Sequence, residues 1–151
     1  RRKTMKRQDL KEIVEKIQTY LEGRPEVRFA YLFGSWARGR ANALSDIHVA
    51  IQVDEEKIGE GYVYGYKAEV MADLMKVLKT NRVDLVILNA VPPLLGFQVV
   101  RDGIPLICRS ELERDQFLAK TREGYERIHD LLDAQIVSLF QRVKEGKFGR
   151  P

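Results

Sequence analysis

The sequence predicts an α/β (α+β) fold: a small mixed, twisted sheet with helices on one side and a long helix at the C-terminal end. Three observations predict it. Apolar residues recur at helical spacing in well-separated stretches, short β-branched and aromatic runs lie between them, and glycine, proline or polar clusters bound each run. The predicted order is helix, strand, short helix, strand, helix, strand, helix, strand, helix. A chain of 151 residues has room for one such domain with a sizeable core and not for two.

The first helix is expected from about Gln8 to Glu22, where Leu10, Ile13, Val14, Ile17, Tyr20 and Leu21 form one apolar stripe opposite Lys and Glu. Gly23-Arg24-Pro25 stops it. Val27 to Phe33 reads as the first strand, and Leu44 to Val53 contains the second. Between them, Gly34-Ser35 is expected to open a short helix. Asp54 to Gly65 reads as a polar loop with Gly59, Gly61 and Gly65, through whose end Tyr62, Tyr64 and Tyr66 alternate. A helix from about Tyr66 to Thr80 places Val70, Met71, Leu74, Met75 and Leu78 on one broad stripe, and Arg82 to Leu88 is the third strand. Pro92-Pro93 starts a short helix to about Val100, since proline suits a first helical turn. After the Asp102-Gly103 turn comes a short strand, Ile104 to Cys108, which Pro105 confines to an edge or a strand end.

The last helix is expected over 111–144, with Tyr125, Ile128, Leu132, Ile136, Leu139 and Val143 as its apolar stripe. About thirty helical residues span ~45 Å, more than a small sheet needs for cover. The far end is expected to project and to meet a helical partner, unless Gly124 bends the helix so that it packs twice. The domain is accordingly placed at residues 8–145, flanked by a basic tail at 1–7 and a short tail at 146–151.

The charged fraction of 32% and the absence of any apolar run near ~20 residues exclude a membrane span. The basic start, Arg1 to Arg7, has no apolar segment like that of a signal peptide, and Met5 so close behind it points to a processed start. The one cysteine, Cys108, excludes an internal disulfide framework and fits a reducing, cytoplasmic setting. A net charge of +4 with basic residues at both ends supports at most weak, non-specific attraction to nucleic acid.

The chemistry is concentrated in Gly34-Ser35-Trp36-Ala37-Arg38-Gly39 and Ser45-Asp46-Ile47-His48. Gly34 lets a backbone approach phosphate closely. The Ser35 hydroxyl and N–H can donate to phosphate oxygens, and Arg38 adds a positive charge one turn later. Asp46 and His48, two apart, share one face of a strand. Asp84 lies inside the apolar run Val83 to Leu88, where a charge is costly unless a metal ion or a cation compensates it; Arg82 and Lys79 are the nearby cations.

Gly-Ser, ten residues, Asp-x-His and a later strand aspartate resemble the Gly-Ser-x10-Asp-x-Asp signature of the DNA polymerase beta-like nucleotidyltransferases. The chain length and the run Val-Val-Arg-Asp-Gly-Ile-Pro-Leu, Val99 to Leu106, are similar to the minimal nucleotidyltransferases, the antitoxin halves of HEPN/MNT toxin–antitoxin pairs. The resemblance implies a polymerase beta palm-like fold and transfer of AMP from ATP to a tyrosine of a HEPN ribonuclease in a hetero-oligomer. It implies Gly34, Ser35 and Arg38 as nucleotide-binding residues, and Asp46 and Asp84 as catalytic. It implies Asp46, His48 and Asp84 as the ligands of Mg²⁺ or Mn²⁺, one ion activating the hydroxyl and one steadying the pyrophosphate.

His48 departs from the pattern, which has aspartate there. Imidazole lacks the negative charge and suits softer metals than Mg²⁺. Three readings stay open: a nucleotide-binding antitoxin that inhibits by complex formation alone, transfer supported by one ion or by Mn²⁺, and a replacement that inactivates an otherwise competent enzyme. A small-molecule nucleotidyltransferase of the aminoglycoside-modifying kind is a further alternative, against which the chain offers little spare sequence for a substrate pocket.

Overall fold

The computed structural model describes residues 7–42, 44–59 and 63–144. The two terminal tails and part of the glycine loop, Gly61 and Tyr62 included, lie outside the described residues. Helix α1 spans Arg7–Glu22, followed by strands β1 (Val27–Phe33) and β2 (Ile47–Val53). A short α2 (Glu55–Ile58) and a long α3 (Val63–Leu78) lead to β3 (Val83–Ile87). A 3-10 turn at Leu88–Ala90, α4 (Pro93–Asp102), β4 (Ile104–Cys108) and α5 (Glu111–Lys144) complete the chain.

The four strands lie in the order β3-β2-β1-β4. β1 runs antiparallel to both β2 and β4, and β2 runs parallel to β3. β1 is apolar at almost every position, as a central strand covered on both faces must be. Ala30 and Leu32 point into the larger core with Val49, Ile51 and Leu85, closed by Ile17 and Leu21 of α1 and by Val70 and Leu74 of α3. Phe29 and Tyr31 point the other way, into a second cluster with Ala50, Leu88 and Val99, against which Phe117 of α5 packs. The expectation of helices on one side thus holds for α1 and α3 and needs correcting for α4 and the start of α5. These cover the middle of the opposite face, because the odd-numbered β1 residues Phe29 and Tyr31 are too large and apolar to face water.

Three other expectations change. Gly34-Ser35 opens a chain of turns rather than a helix: Arg38 N–H donates to Gly34 C=O at 3.2 Å and Arg40 N–H to Ser35 C=O at 2.9 Å. Gly34 (φ 80°) and Gly39 (φ 69°) are left-handed at its two ends, which a propagating helix does not accept. The polar loop after β2 contains α2, because the Asp54 carboxylate caps it by accepting from Glu56 N–H at 3.1 Å. Gly124 does not interrupt α5, which is helical from Glu111 to Lys144. Its role is close approach: a β-carbon there would come within 2.6 Å of Pro93, so the glycine lets α4 and α5 pack together.

Beyond that contact α5 leaves the domain. Tyr125 still stacks on Phe97 of α4, ring centroids 4.7 Å apart, but from Glu126 on every described side chain is exposed. Among the described residues no helix is long and apolar enough to cross a membrane.

Candidate active site

The register of the sheet sets the site. Phe33, the last residue of β1, lies opposite His48 in β2, and His48 lies beside Asp84 in the parallel β3. The sequence therefore brings residues from three strands to one corner of the sheet, on the face that α4 and α5 leave partly open. His48 Nδ1 stands 3.5 Å from Asp84 Oδ2, and the His48 ring lies against Phe33 with centroids 5.2 Å apart. Asp46 sits just before β2, and its Oδ1 is 3.8 Å from Arg82 Nη1. Arg82 was expected beside Asp84 if it paired with anything. Its guanidinium reaches Asp46 instead, and it hydrogen-bonds the Leu44 carbonyl.

The turn after β1 packs directly on this corner. A β-carbon on Gly34 would fall 2.8 Å from His48 Cδ2, and its φ of 80° is one that other residues seldom adopt. Trp36 is buried and anchors the turn to the core, whereas Ser35 and Arg38 are exposed. Gly34, Arg38 and His48 line a cavity of about 190 Å³ whose far wall is α4, through Leu95, Gln98 and Asp102. Arg101 holds the Asp102 carboxyl below its ordinary value by hydrogen bonding to it, and the charge of Arg38 adds to the effect. Asp102 is therefore an anion on the cavity wall opposite Arg38.

Of the predicted residues, the structure thus joins Gly34, Arg38 and His48 around one cavity and sets Asp84 against His48. Asp46 lies on the same corner but faces Arg82, and Ser35 stands exposed on the turn. Among the described residues no three His, Cys, Asp or Glu side chains converge as a ready-made metal cage. Two half-exposed carboxylates, Asp46 and Asp84, are chemically suited to a hard divalent ion that keeps water and takes phosphate oxygens for its other ligands. The α4 wall was not visible in the sequence. Nothing in Leu95, Gln98 or Asp102 marks them, and only the tertiary path of α4 places them there.

We expect Gly34→Ala to disrupt the fit of this turn on His48 and, with it, any grip of the turn on phosphate. The substitution combines a disfavoured backbone angle with a contact on His48 that only displacement of the ring relieves, at a cost of roughly 1–3 kcal/mol each. Calorimetric titration with ATP, alongside the melting temperature, checks this. A variant that binds ATP like the unchanged chain would show that the turn does not grip phosphate.

Residues 15–112 match the family described as polymerase beta, nucleotidyltransferase. Comparison with curated proteins finds no significant match. Among solved structures, a chain of a toxin–antitoxin complex crystallised with AMP-PNP superposes with a TM-score of 0.67 at 26% identity, over 84% of this chain and 98% of that one. A chain of a mutant toxin–antitoxin complex named MntA-HpeT gives 0.65, also at 26% identity, over the same shares of the two chains. The complex of a tri-AMPylated Shewanella oneidensis HEPN toxin with its MNT antitoxin gives 0.63 at 24% identity, over 87% and 98%. The strand order therefore sits in a known frame, shared with the chains of these toxin–antitoxin complexes, and this chain belongs to the polymerase beta nucleotidyltransferase family.

Proposed function

We propose that the chain is the antitoxin of a HEPN/MNT pair and that it transfers AMP from ATP to a tyrosine of its HEPN ribonuclease partner. The observation that supports this reading is the packing of the left-handed Gly34 turn on His48, with Gly34, Arg38 and His48 lining one cavity at the strand corner that bears Asp84. In the step itself the tyrosine oxygen attacks the α-phosphorus, an O–P bond forms, and the bond to the departing pyrophosphate breaks. The phenolic proton passes to Asp84 or to water. Gly34, Ser35 and Arg38 would hold the β- and γ-phosphates, and Asp46 and Asp84 would hold Mg²⁺ or Mn²⁺, which would supply charge neutralisation to the triphosphate. A domain this small leaves the acceptor side of the cleft for the partner to complete.

A second reading is favoured by one contact. His48 leans on Asp84 at 3.5 Å, in a position where the family carries a carboxylate. The site then offers two acids instead of three, and the chain inhibits its partner chiefly by occupying it. Incubation with labelled ATP, Mg²⁺ or Mn²⁺ and the HEPN partner, followed by mass spectrometry of that partner, separates the two. A gain of one or more AMP units on tyrosine supports transfer. An unmodified partner that is nonetheless bound and silenced supports inhibition by occupation.

A further inference from the structure

Trp36 carries a hydrogen-bond donor that the fold leaves unused. The side chain is 5% exposed, and its indole Nε1 is buried without a partner. A buried N–H in that state costs free energy that an acceptor would recover. Trp36 lines a cavity of about 270 Å³, walled also by Lys16 of α1, Ser45, Thr80 and Arg82. The turn that holds Trp36 presents Gly34, Ala37 and Arg38 to the candidate nucleotide cavity, and the two cavities share no lining residue.

The spare hydrogen-bonding capacity of this wall consists of donors. Glu12 is paired with Lys16 at 2.9 Å, and Asp9, also on the wall, has a partner of its own, so neither carboxylate is left to claim a cation. Ser45 Oγ accepts from Asn42 N–H at 3.0 Å and Thr80 Oγ1 from Arg82 N–H at 3.1 Å, and each hydroxyl keeps its proton to donate. Arg82 gives Nη1 to the Leu44 carbonyl at 3.1 Å and stands 3.8 Å from Asp46, too far for a hydrogen bond, so further N–H groups of its guanidinium are available. An indole N–H, two hydroxyls and a guanidinium around one space suit the oxygens of an anion. Ile13, Ile47 and Leu78 complete the wall, and their apolar surface strengthens each polar contact by excluding water.

We infer that this cavity is a second anion site, which takes a compact oxyanion, a phosphate or a carboxylate, with one oxygen on Trp36 Nε1–H and the charge against Arg82. An anion held there ties the glycine turn, through Trp36, to the segment before β3, from the side away from the nucleotide cavity. The site does not depend on the transfer reaction proposed above.

Trp36 is the chain's one tryptophan, so its emission reads the site directly. Titration with inorganic phosphate, against chloride at matched ionic strength, is expected to give a saturable change in emission with a millimolar dissociation constant. Sodium acetate is the parallel arm, and the anion that responds at lower concentration names the source. Arg82→Gln is expected to weaken the response about tenfold, the loss of a charge-assisted hydrogen bond. Arg38→Gln, on the nucleotide cavity, should leave it within about twofold. Trp36→Phe keeps an aromatic ring and removes the N–H. Its melting temperature should no longer rise in about 20 mM phosphate, where the unchanged chain gains a few degrees. Circular dichroism confirms that each variant is folded, and should Trp36→Phe not fold, the two arginine variants decide the matter by themselves. If neither anion changes the emission saturably, the indole N–H is met by water alone and the inference is wrong. If Arg38→Gln abolishes the response while Arg82→Gln spares it, the anion sits at the nucleotide turn, and the inference is again wrong.

Discussion

Replacing His48 with aspartate is expected to raise AMP transfer to the partner tyrosine about a hundredfold under Mg²⁺, or roughly 2.7 kcal/mol of transition-state stabilisation. The argument is electrostatic first. A triphosphate and a developing phenoxide put several negative charges at one corner of the sheet, and every carboxylate there strengthens the hold on the ions that neutralise them. His48 supplies none, and its Nδ1 lies 3.5 Å from Asp84, so it also competes for a neighbouring acid. Steric considerations favour the exchange. Aspartate is smaller than the imidazole that fills the space against Gly34 and Phe33, so nothing must move to admit it. The double variant His48→Asp with Asp84→Asn should return to the low rate. Incorporation of AMP is compared for the three chains at equal protein and ATP. A chain already as fast as His48→Asp would show that imidazole is a competent member of this site.

Much of this corner was legible in the residues, because strand register follows from alternation. Alternation alone could set Asp46 and His48, two apart, on one face, whereas the neighbourhood of His48 and Asp84 follows only from the parallel pairing of β2 with β3. Gly34 could be read as a close-approach glycine, but what approaches it is the His48 ring, a contact that depends on how β1 and β2 pair. What local pattern could not give was the shape of the turn. Gly34-Ser35 read as the opening of a short helix, yet left-handed glycines at both ends and a buried Trp36 fix a chain of turns. The same holds for α2, where the Asp54 cap outweighs the glycine-rich composition around it. Gly124 was legible as unusual and not as to why: its missing side chain makes room for Pro93, a residue about thirty positions away in sequence. Arg82 was visible as a cation next to an acid, and only the geometry shows that the acid it serves is Asp46.

Removing the projecting part of α5 is expected to abolish stable binding of the HEPN partner while leaving the domain folded. The family match ends at residue 112, so nearly all of this helix is an addition to the shared nucleotidyltransferase core. Its first turns earn their place in that core: Phe117 packs under the sheet, Thr121 is buried, and Tyr125 stacks on Phe97. The apolar stripe read from the sequence therefore divides in two, and the cut belongs beyond Tyr125. After it, Leu131, Leu132, Val137, Leu139 and Val143 are 43–63% exposed. An isolated helical segment of this length is marginal in water, and such an apolar surface gains stability chiefly by meeting another chain. Truncation after His129 should shift the melting temperature by only a few degrees, because the described side chains beyond it contribute no burial. Leu132→Glu with Leu139→Glu in the full chain should weaken the complex by more than a hundredfold, placing charge where a partner would bury leucine. Co-purification and calorimetry with the HEPN protein decide the matter. A truncated, folded chain that still bound its partner at full affinity would confine recognition to the mouth of the cleft, and the exposed stripe would need another explanation.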